Sequence, residues 1–153
     1  MKITQQNSLT ENQKAQLFKL WNSVYPIAFQ YADLAAFKAF LNSISPINHY
    51  MLELDNVFAG WCFVFDRNDE RWFGIVVDSS FHKKGLGKTL IHTIQSDEDE
   101  LNGWVITDKN LLKTNGETYP SPLQFYLKIG FNQMPEVTKT YNGVNVVKIN
   151  WQK

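Results

Sequence analysis

The chain has 153 residues, with 15 Lys plus Arg against 15 Asp plus Glu. The length suits one domain, residues 1–153, and the neutral balance supplies no global field for nucleic acid or an anionic membrane surface. Cys62 is the only cysteine, which excludes an intrachain disulfide framework and points to a reducing, cytoplasmic compartment, while no apolar run reaches the ~20 residues of a membrane span and the polar start Met1-Lys2-Ile3-Thr4-Gln5 does not read as a secretory signal.

Thr10-Glu11-Asn12-Gln13 has capping-box spacing, and Leu17, Leu20, Trp21 and Val24 follow at helical intervals, which predicts a helix over about 11–23. Pro26 closes that region. Leu34, Phe37, Leu41 and Ile44 mark a second amphipathic helix that stops before Ser45-Pro46, because the residue ahead of a proline is disfavoured in the helical region. The period then changes to two. Tyr50 to Leu54, Phe58 to Phe65 and Arg71 to Val77 read as strands of an antiparallel meander, parted by Asp55-Asn56 and by Arg67-Asn68-Asp69-Glu70.

Gly85 opens a further helical pattern with Leu86, Leu90, Ile91 and Ile94, and the acidic cluster Ser96-Asp97-Glu98-Asp99-Glu100 reads as its solvated end. Trp104-Val105-Ile106-Thr107 supplies a strand after Asn102-Gly103. A long polar loop from Asp108 leads to Ser121-Pro122, an N-cap serine and a first-turn proline for a helix that runs through Lys128 and ends at Gly130. Val137 to Tyr141 and Val144 to Trp151 flank Asn142-Gly143, a two-residue hairpin signal. With an opening strand, the order is strand, two helices, three strands, helix, strand, helix and hairpin.

The turn Lys84-Gly85-Leu86-Gly87-Lys88 joins a strand to a helix. Such a turn can cradle a phosphate on its N–H groups, yet it lacks both the third glycine of a dinucleotide site and the Walker Lys-Ser/Thr pair. Taken alone it is equally an ordinary connection with solvated lysines. Two segments together decide between these readings. Trp72 to Leu90, containing His82-Lys83-Lys84-Gly85-Leu86-Gly87, resembles the strand, glycine turn and helix of the GNAT acetyltransferases. Phe125-Tyr126-Leu127-Lys128-Ile129-Gly130-Phe131 resembles their aromatic-Tyr-x-x-x-Gly-Phe element. His82 stands where the family usually has Gln or Arg, and Tyr119 stands where many relatives carry Asn.

The resemblance implies a mixed α/β (α+β) fold, a mostly antiparallel twisted sheet of about six to seven strands flanked by about four helices. It implies an N-acyltransferase that moves an acetyl (acyl) group from acetyl-CoA to a primary amine of a small molecule, peptide or protein by direct attack in a ternary complex. The alternative is a catalytically degenerate acyl-CoA-binding or protein-interaction module of the same fold. By the same resemblance, Val76 or Val77 offers a main-chain donor to the oxyanion. His82, Lys83, Lys84, Gly85, Leu86, Gly87, Lys88 and Thr89 surround the pyrophosphate, and Tyr126 protonates the leaving thiolate.

On periodicity alone, Tyr126 is a core aromatic of its helix. Gly74 marks either a bulge or a close approach. Glu53 and Asp78, with His49 behind them, are the candidate bases for the amine, each equally readable as an exposed strand-end residue. Tyr25, Phe29 and Tyr31 either line the acceptor pocket or pack the core. Cys62, between Trp61 and Phe63, reads as a buried thiol, and His49, His82 and His92 have no spacing that assembles a metal site. No nucleic-acid or membrane partner is expected, and the terminal hairpin edge leaves a homodimer possible.

Overall fold

The structure is a computed structural model describing residues 1–153. Its elements are β1 (Lys2–Gln6), α1 (Glu11–Val24), α2 (Leu34–Ile44), β2 (Asn48–Leu54), β3 (Val57–Arg67), β4 (Glu70–Val77), α3 (Leu86–Asp97), β5 (Glu100–Ile106), α4 (Leu123–Lys128), β6 (Asn132–Tyr141) and β7 (Val144–Gln152). Single 3-10 turns sit at Ile27–Phe29 and Ser79–Phe81. The strands form one mixed sheet in the order β1-β2-β3-β4-β5-β7-β6. This is the expected α/β fold, with seven strands and four helices. No helix is long and apolar enough to cross a membrane.

Local signals fix most boundaries. Thr10 Oγ1 accepts from Gln13 N at 3.1 Å while Gln13 Oε1 accepts from Thr10 N at 2.9 Å, so two donors at the start of α1 are satisfied reciprocally. Asp33 caps α2 through Ala36 N at 2.8 Å, and the helix leaves through Ser45 in the left-handed region, φ 47°, ahead of Pro46. The hairpin turns Asp55-Asn56 (φ 48° and 64°), Asn68-Asp69 (52° and 60°) and Asn142-Gly143 (50° and 77°) all place two positive φ values in sequence. That geometry matches the twist of the strands they join.

Apolar faces of α1 and α2, among them Leu17, Leu20, Trp21, Phe37 and Leu41, pack on one side of the sheet against Met51, Trp61, Phe63 and Phe65. On the other side, Leu86, Leu90, Ile91 and Ile94 of α3 and Tyr126 of α4 cover Tyr50, Cys62, Val64, Phe73, Leu101 and Val105. Cys62 is fully buried, as its neighbours implied.

Some elements differ from expectation. β5 begins at Glu100 and β6 at Asn132, both earlier than their apolar runs, because pairing with β7 extends them past the local pattern. β6 carries a register irregularity between Met134 and Thr138. The acidic cluster at the end of α3 is solvated at Ser96, Asp97 and Asp99, but it is also tied to the sheet. Asp97 accepts the Tyr50 hydroxyl at 3.0 Å, Glu98 is buried against Arg71 at 2.7 Å, and Glu100 accepts from Arg71 N at 3.3 Å. Gly74 is not at a bulge, since β3 and β4 stay in register from Gly60↔Val77 to Arg67↔Glu70. It is a close approach: a Cβ there would lie 2.3 Å from Phe63 Cζ.

The long loop after β5 is also more ordered than its polarity suggested. Leu112 bridges Thr118, Lys113 N donates to Glu117 O at 2.9 Å, and Gly116 N to Lys113 O at 3.0 Å, making a small hairpin strap. Ile27 N donates to Leu112 O at 2.9 Å, and Lys113 Nζ donates to Ser79 Oγ at 3.0 Å. The strap thereby links the two 3-10 turns.

His49 is a packing residue. Its ring is buried, stacks on Trp61 and accepts from Trp61 Nε1 at 3.2 Å through Nδ1. Burial, with Lys14 adding to it, pulls its pKa from 6.5 to about 4. The unfolded chain therefore takes up this proton first as pH falls, and stability present above pH 6.5 is lost progressively down to pH 4, by at most about 3 kcal/mol. Denaturant unfolding of the wild type and His49→Phe at pH 7 and pH 4.5 measures this; the variant is expected to lose less stability on acidification, and equal losses would refute the assignment.

Candidate functional site

β4 and β5 are the only parallel neighbours in the sheet, and they meet at Trp72↔Asn102 alone. Beyond that pair the strands diverge. The junction is pinned by side chains: Asn102 Nδ2 donates to Arg71 O at 3.1 Å, Asn150 Nδ2 donates to Asn102 Oδ1 at 2.8 Å, and Glu100 holds Arg71 N. Just past it, Phe73 lies against Gly103, where a Cβ would sit 2.9 Å from the ring. The result is a V open at the C-terminal ends of both strands.

Divergence leaves the outer edge of β4 without a strand partner. Asp78 N donates to Ala59 O at 2.8 Å, so the alternation of an antiparallel ladder turns Val76 toward β3 and turns Ile75 and Val77 toward the V. Two bonds agree with this: Tyr25 Oη donates to Ile75 O at 3.5 Å, and His82 Nε2 to Val77 O at 2.8 Å. The carbonyls on that edge are capped and the N–H groups of Ile75 and Val77 face the opening.

The glycine turn continues this array of donors. None of the six amides from Lys83 to Lys88 meets an acceptor within the protein, and the first that does is Thr89 N, on Gly85 O at 3.0 Å. Lys83 (φ 66°) and Gly85 (φ 78°) curl the chain through the left-handed region so that these N–H groups gather at the start of α3. Gly87 lets Phe125 of α4 close over the turn, since a Cβ there would be 3.3 Å from that ring. Unpaired amides at a helix N-terminus form an anion site, and Lys83, Lys88 and Lys128 add charge around it.

The V opens into one cavity of about 1110 Å³ that passes through the sheet from the α3 and α4 side to the α1 and α2 side. Small-molecule pockets commonly span about 300–1,000 Å³, so this cavity stands at the upper end of that range. Tyr126 lines the passage, and its hydroxyl has no hydrogen-bond partner in the protein although the residue is 6% exposed. Burial, followed by the nearby Tyr25 and Tyr119 phenols, pushes its pKa well above the usual value. The phenol keeps its proton at any physiological pH and is available as a donor. Tyr25 and Tyr119 stack at 6.1 Å beside it.

Of the sequence candidates, Val77, His82, Lys83, Gly85, Leu86, Gly87, Lys88 and Tyr126 come together on this cavity. The others do not. Val76 is turned to β3, and Lys84 lies 5.6 Å over the Phe81 ring and does not line the cavity. Thr89 gives its hydroxyl to Gly85 O at 3.0 Å. Asp78 caps the second 3-10 turn through Ser80 N at 2.9 Å and the Ser80 hydroxyl. Glu53 sits at the far end of β2 between Lys2 and Phe58, two strands from β4. Tyr25, Phe29 and Tyr31 both pack and line, which unites their two readings.

Sequence reasoning missed Lys113, a buried lysine on the strap whose Nζ meets only Ser79 Oγ. It also missed Trp104, Arg67 and Lys139, which line the α1 and α2 side. The alternation of Trp104 with Val105 assigns it to the face opposite α3, but only the splay turns that face into a wall. No group of three His, Cys, Asp or Glu side chains is placed to hold a metal ion.

A family model described as an acetyltransferase (GNAT) domain matches residues 45–133, more than half of the chain. No curated protein matches significantly. Among solved structures, an aminoglycoside 6′-N-acetyltransferase complexed with coenzyme A superposes with TM-score 0.71 at 14% identity, over 99% of this chain and 97% of that one. The aminoglycoside 6′-N-acetyltransferase from Enterococcus faecium gives 0.72 at 15%, over 99% and 97%. The ribosomal-protein-S18-alanine N-acetyltransferase from Escherichia coli gives 0.67 at 16%, over 99% and 94%. At such identities these structures share the fold.

The unpaired amides predict a binding reaction that needs no acyl group. Inorganic pyrophosphate is expected to raise Tm in a saturable way, and a folded Gly85→Glu variant, with a carboxylate at the turn, to lose at least about tenfold in affinity. An unchanged response in the variant would place the anion elsewhere.

Proposed function

Because the chain belongs to the GNAT acetyltransferase family, whose chemistry is acyl transfer, we propose that it moves the acetyl group of acetyl-CoA to a primary amine by direct attack inside the through-sheet cavity. The observation that carries this reading is the set of free donors, Ile75 N–H, Val77 N–H and the six amides of Lys83 to Lys88, along the same cavity that the unbonded Tyr126 hydroxyl lines. The residues fit coenzyme A: the turn suits its pyrophosphate, and the bare edge of β4 suits an extended amide chain as a missing strand would.

Acetyl-CoA supplies an activated acyl carbon and a thiolate leaving group. The protein holds the pyrophosphate on the turn and its flanking lysines, and presents the Val77 N–H as a fixed donor where charge develops on the acyl oxygen. Tyr126 donates its phenolic proton toward the departing sulfur. The aromatic lining and the strap, which Lys113 pins to Ser79, restrict the water at the site.

Removal of the amine proton falls to no carboxylate in this arrangement. Glu117, on the exposed strap, is the one acidic residue lining the cavity, against six Lys and Arg. Burial and like charge both disfavour an ammonium, so the site favours the neutral amine directly and the proton leaves through water.

Calorimetric titration with acetyl-CoA tests the donor site, with micromolar binding expected. Tyr126→Phe should keep that affinity and lose about 10²-fold in kcat for thiol release with a reactive amine; an unchanged kcat in a folded variant would remove the tyrosine from the mechanism. kcat/KM should rise with pH in step with deprotonation of the acceptor amine, and Glu53→Gln should retain that profile. A profile flattened by Glu53→Gln would restore a carboxylate base.

A further inference from the structure

On the α1 and α2 side of the sheet the cavity narrows onto a row of alternating cations and indoles. Trp72 and Trp104 lie 5.4 Å apart. Arg67 Cζ stands 5.3 Å from the Trp72 ring, and Lys139 Nζ stands 5.0 Å from the Trp104 ring and 5.8 Å from that of Tyr141. Lys148 Nζ also stands 5.3 Å from the Trp72 ring, but it is paired with Glu70 at 2.8 Å, and Arg71 is paired with Asp66 and Glu98, whereas neither Arg67 nor Lys139 has a carboxylate partner. The Trp104 Nε1–H is buried with no acceptor. Around the row the lining is aromatic, with Trp21, Tyr25, Phe29, Tyr31, Phe40 and Phe63.

We infer that the acceptor is a primary amine with an apolar or aromatic body and an anionic group, a carboxylate or phosphate, and that this anion sits between Arg67 and Lys139 within reach of the Trp104 N–H. The inference rests on the acyl-transfer reading of the cavity and deepens it. Ring faces already attract the two cations, but a ring neutralises no charge. An anion would complete both cations and the indole donor at once, and its apolar body would cover the aromatic walls.

The same charges argue against polycationic acceptors. An aminoglycoside or polyamine brings several ammonium groups and needs carboxylates to receive them, whereas the carboxylate on this face, Glu70, is already held by Lys148 at 2.8 Å and does not line the cavity. The folds shared with aminoglycoside acetyltransferases therefore do not extend to their acceptor. Specificity arises as much from this repulsion as from the attraction.

Three probes of one shape and different charge separate the possibilities: para-aminomethylbenzoate, benzylamine and para-xylylenediamine. Each is assayed for thiol release from acetyl-CoA, and separately for quenching of tryptophan fluorescence without acetyl-CoA. The carboxylate probe is expected to exceed benzylamine by about tenfold in kcat/KM, and the diamine to fall below both. The double variant Arg67→Gln, Lys139→Gln should erase most of that preference with acetyl-CoA affinity intact, and raised salt should weaken the carboxylate probe in the wild type even if the variant does not fold. Preference for the diamine, a ratio unmoved in the folded variant, or silence toward all three probes in a protein that binds acetyl-CoA would overturn the inference. Absence of acetyl-CoA binding and of thiol release, with the carboxylate probe still quenching selectively, would instead refute the donor reading and leave the anion site standing.

Discussion

Arg71 and Asn102 hold together the one place where β4 and β5 touch. Asn102 is fully buried, binds the Arg71 carbonyl on one side and Asn150 on the other, and so ties three strands at a point. Glu98 and Glu100 reach the same arginine from the end of α3 and the start of β5. Without that knot there would be no reason for the sheet to stay joined at one end while Phe73, Trp72 and Trp104 wedge it open at the other. A buried amide and charges at a strand junction are costly when left unpaired, and here each finds a partner. The order bought at the junction is what exposes the edge of β4, and the exposed edge in turn supplies the donors on which any acyl-transfer chemistry depends.

The open end also explains why the strap has so much local structure. A gap in a sheet would let water reach every unpaired amide along β4. The hairpin between Leu111 and Tyr119 spans it, anchored to one 3-10 turn by Ile27 and to the other by Lys113 and Ser79. Apolar packing of Leu111 and Tyr119 on Ile106, Val144 and Val146 holds it as well. Tyr119, projecting from the strap onto Tyr25, adds the aromatic contact that shapes the passage beside Tyr126.

How much of this could be seen in the chain depends on whether the determinant is local. Capping at Thr10, three turns with paired positive φ residues, and apolar periods in α1, α2 and α3 are local, and all read correctly. The extensions of β5 to Glu100 and β6 to Asn132 are dictated by β7, which lies far along the chain. The fate of the acidic cluster likewise depended on Arg71 arriving from another strand. At the site, the glycine turn is local and legible in the chain, whereas Arg67, Trp104, Lys113 and Lys139 converge only through topology. Gly74 shows the same divide: its spacing allowed a bulge or a close approach, and only the position of the Phe63 ring distinguishes them.

The charge pattern connects donor and acceptor chemistry. Cations gather on both sides of the opening, Lys83, Lys88 and Lys128 at the turn and Arg67 and Lys139 across the sheet, with Lys113 between them on the strap. Such a field would be unfavourable in an empty apolar cavity and becomes favourable when a pyrophosphate enters from one side and an anionic acceptor from the other. In the proposed reaction the amine between them would lie in a desolvated, positive environment that favours its neutral form, while a negative charge growing on the acyl oxygen would be stabilised by the same field and by the Val77 N–H. On the proposed reading, one distribution of charge would assist binding of both reactants, deprotonation and the transition state with no carboxylate at the centre of the cavity.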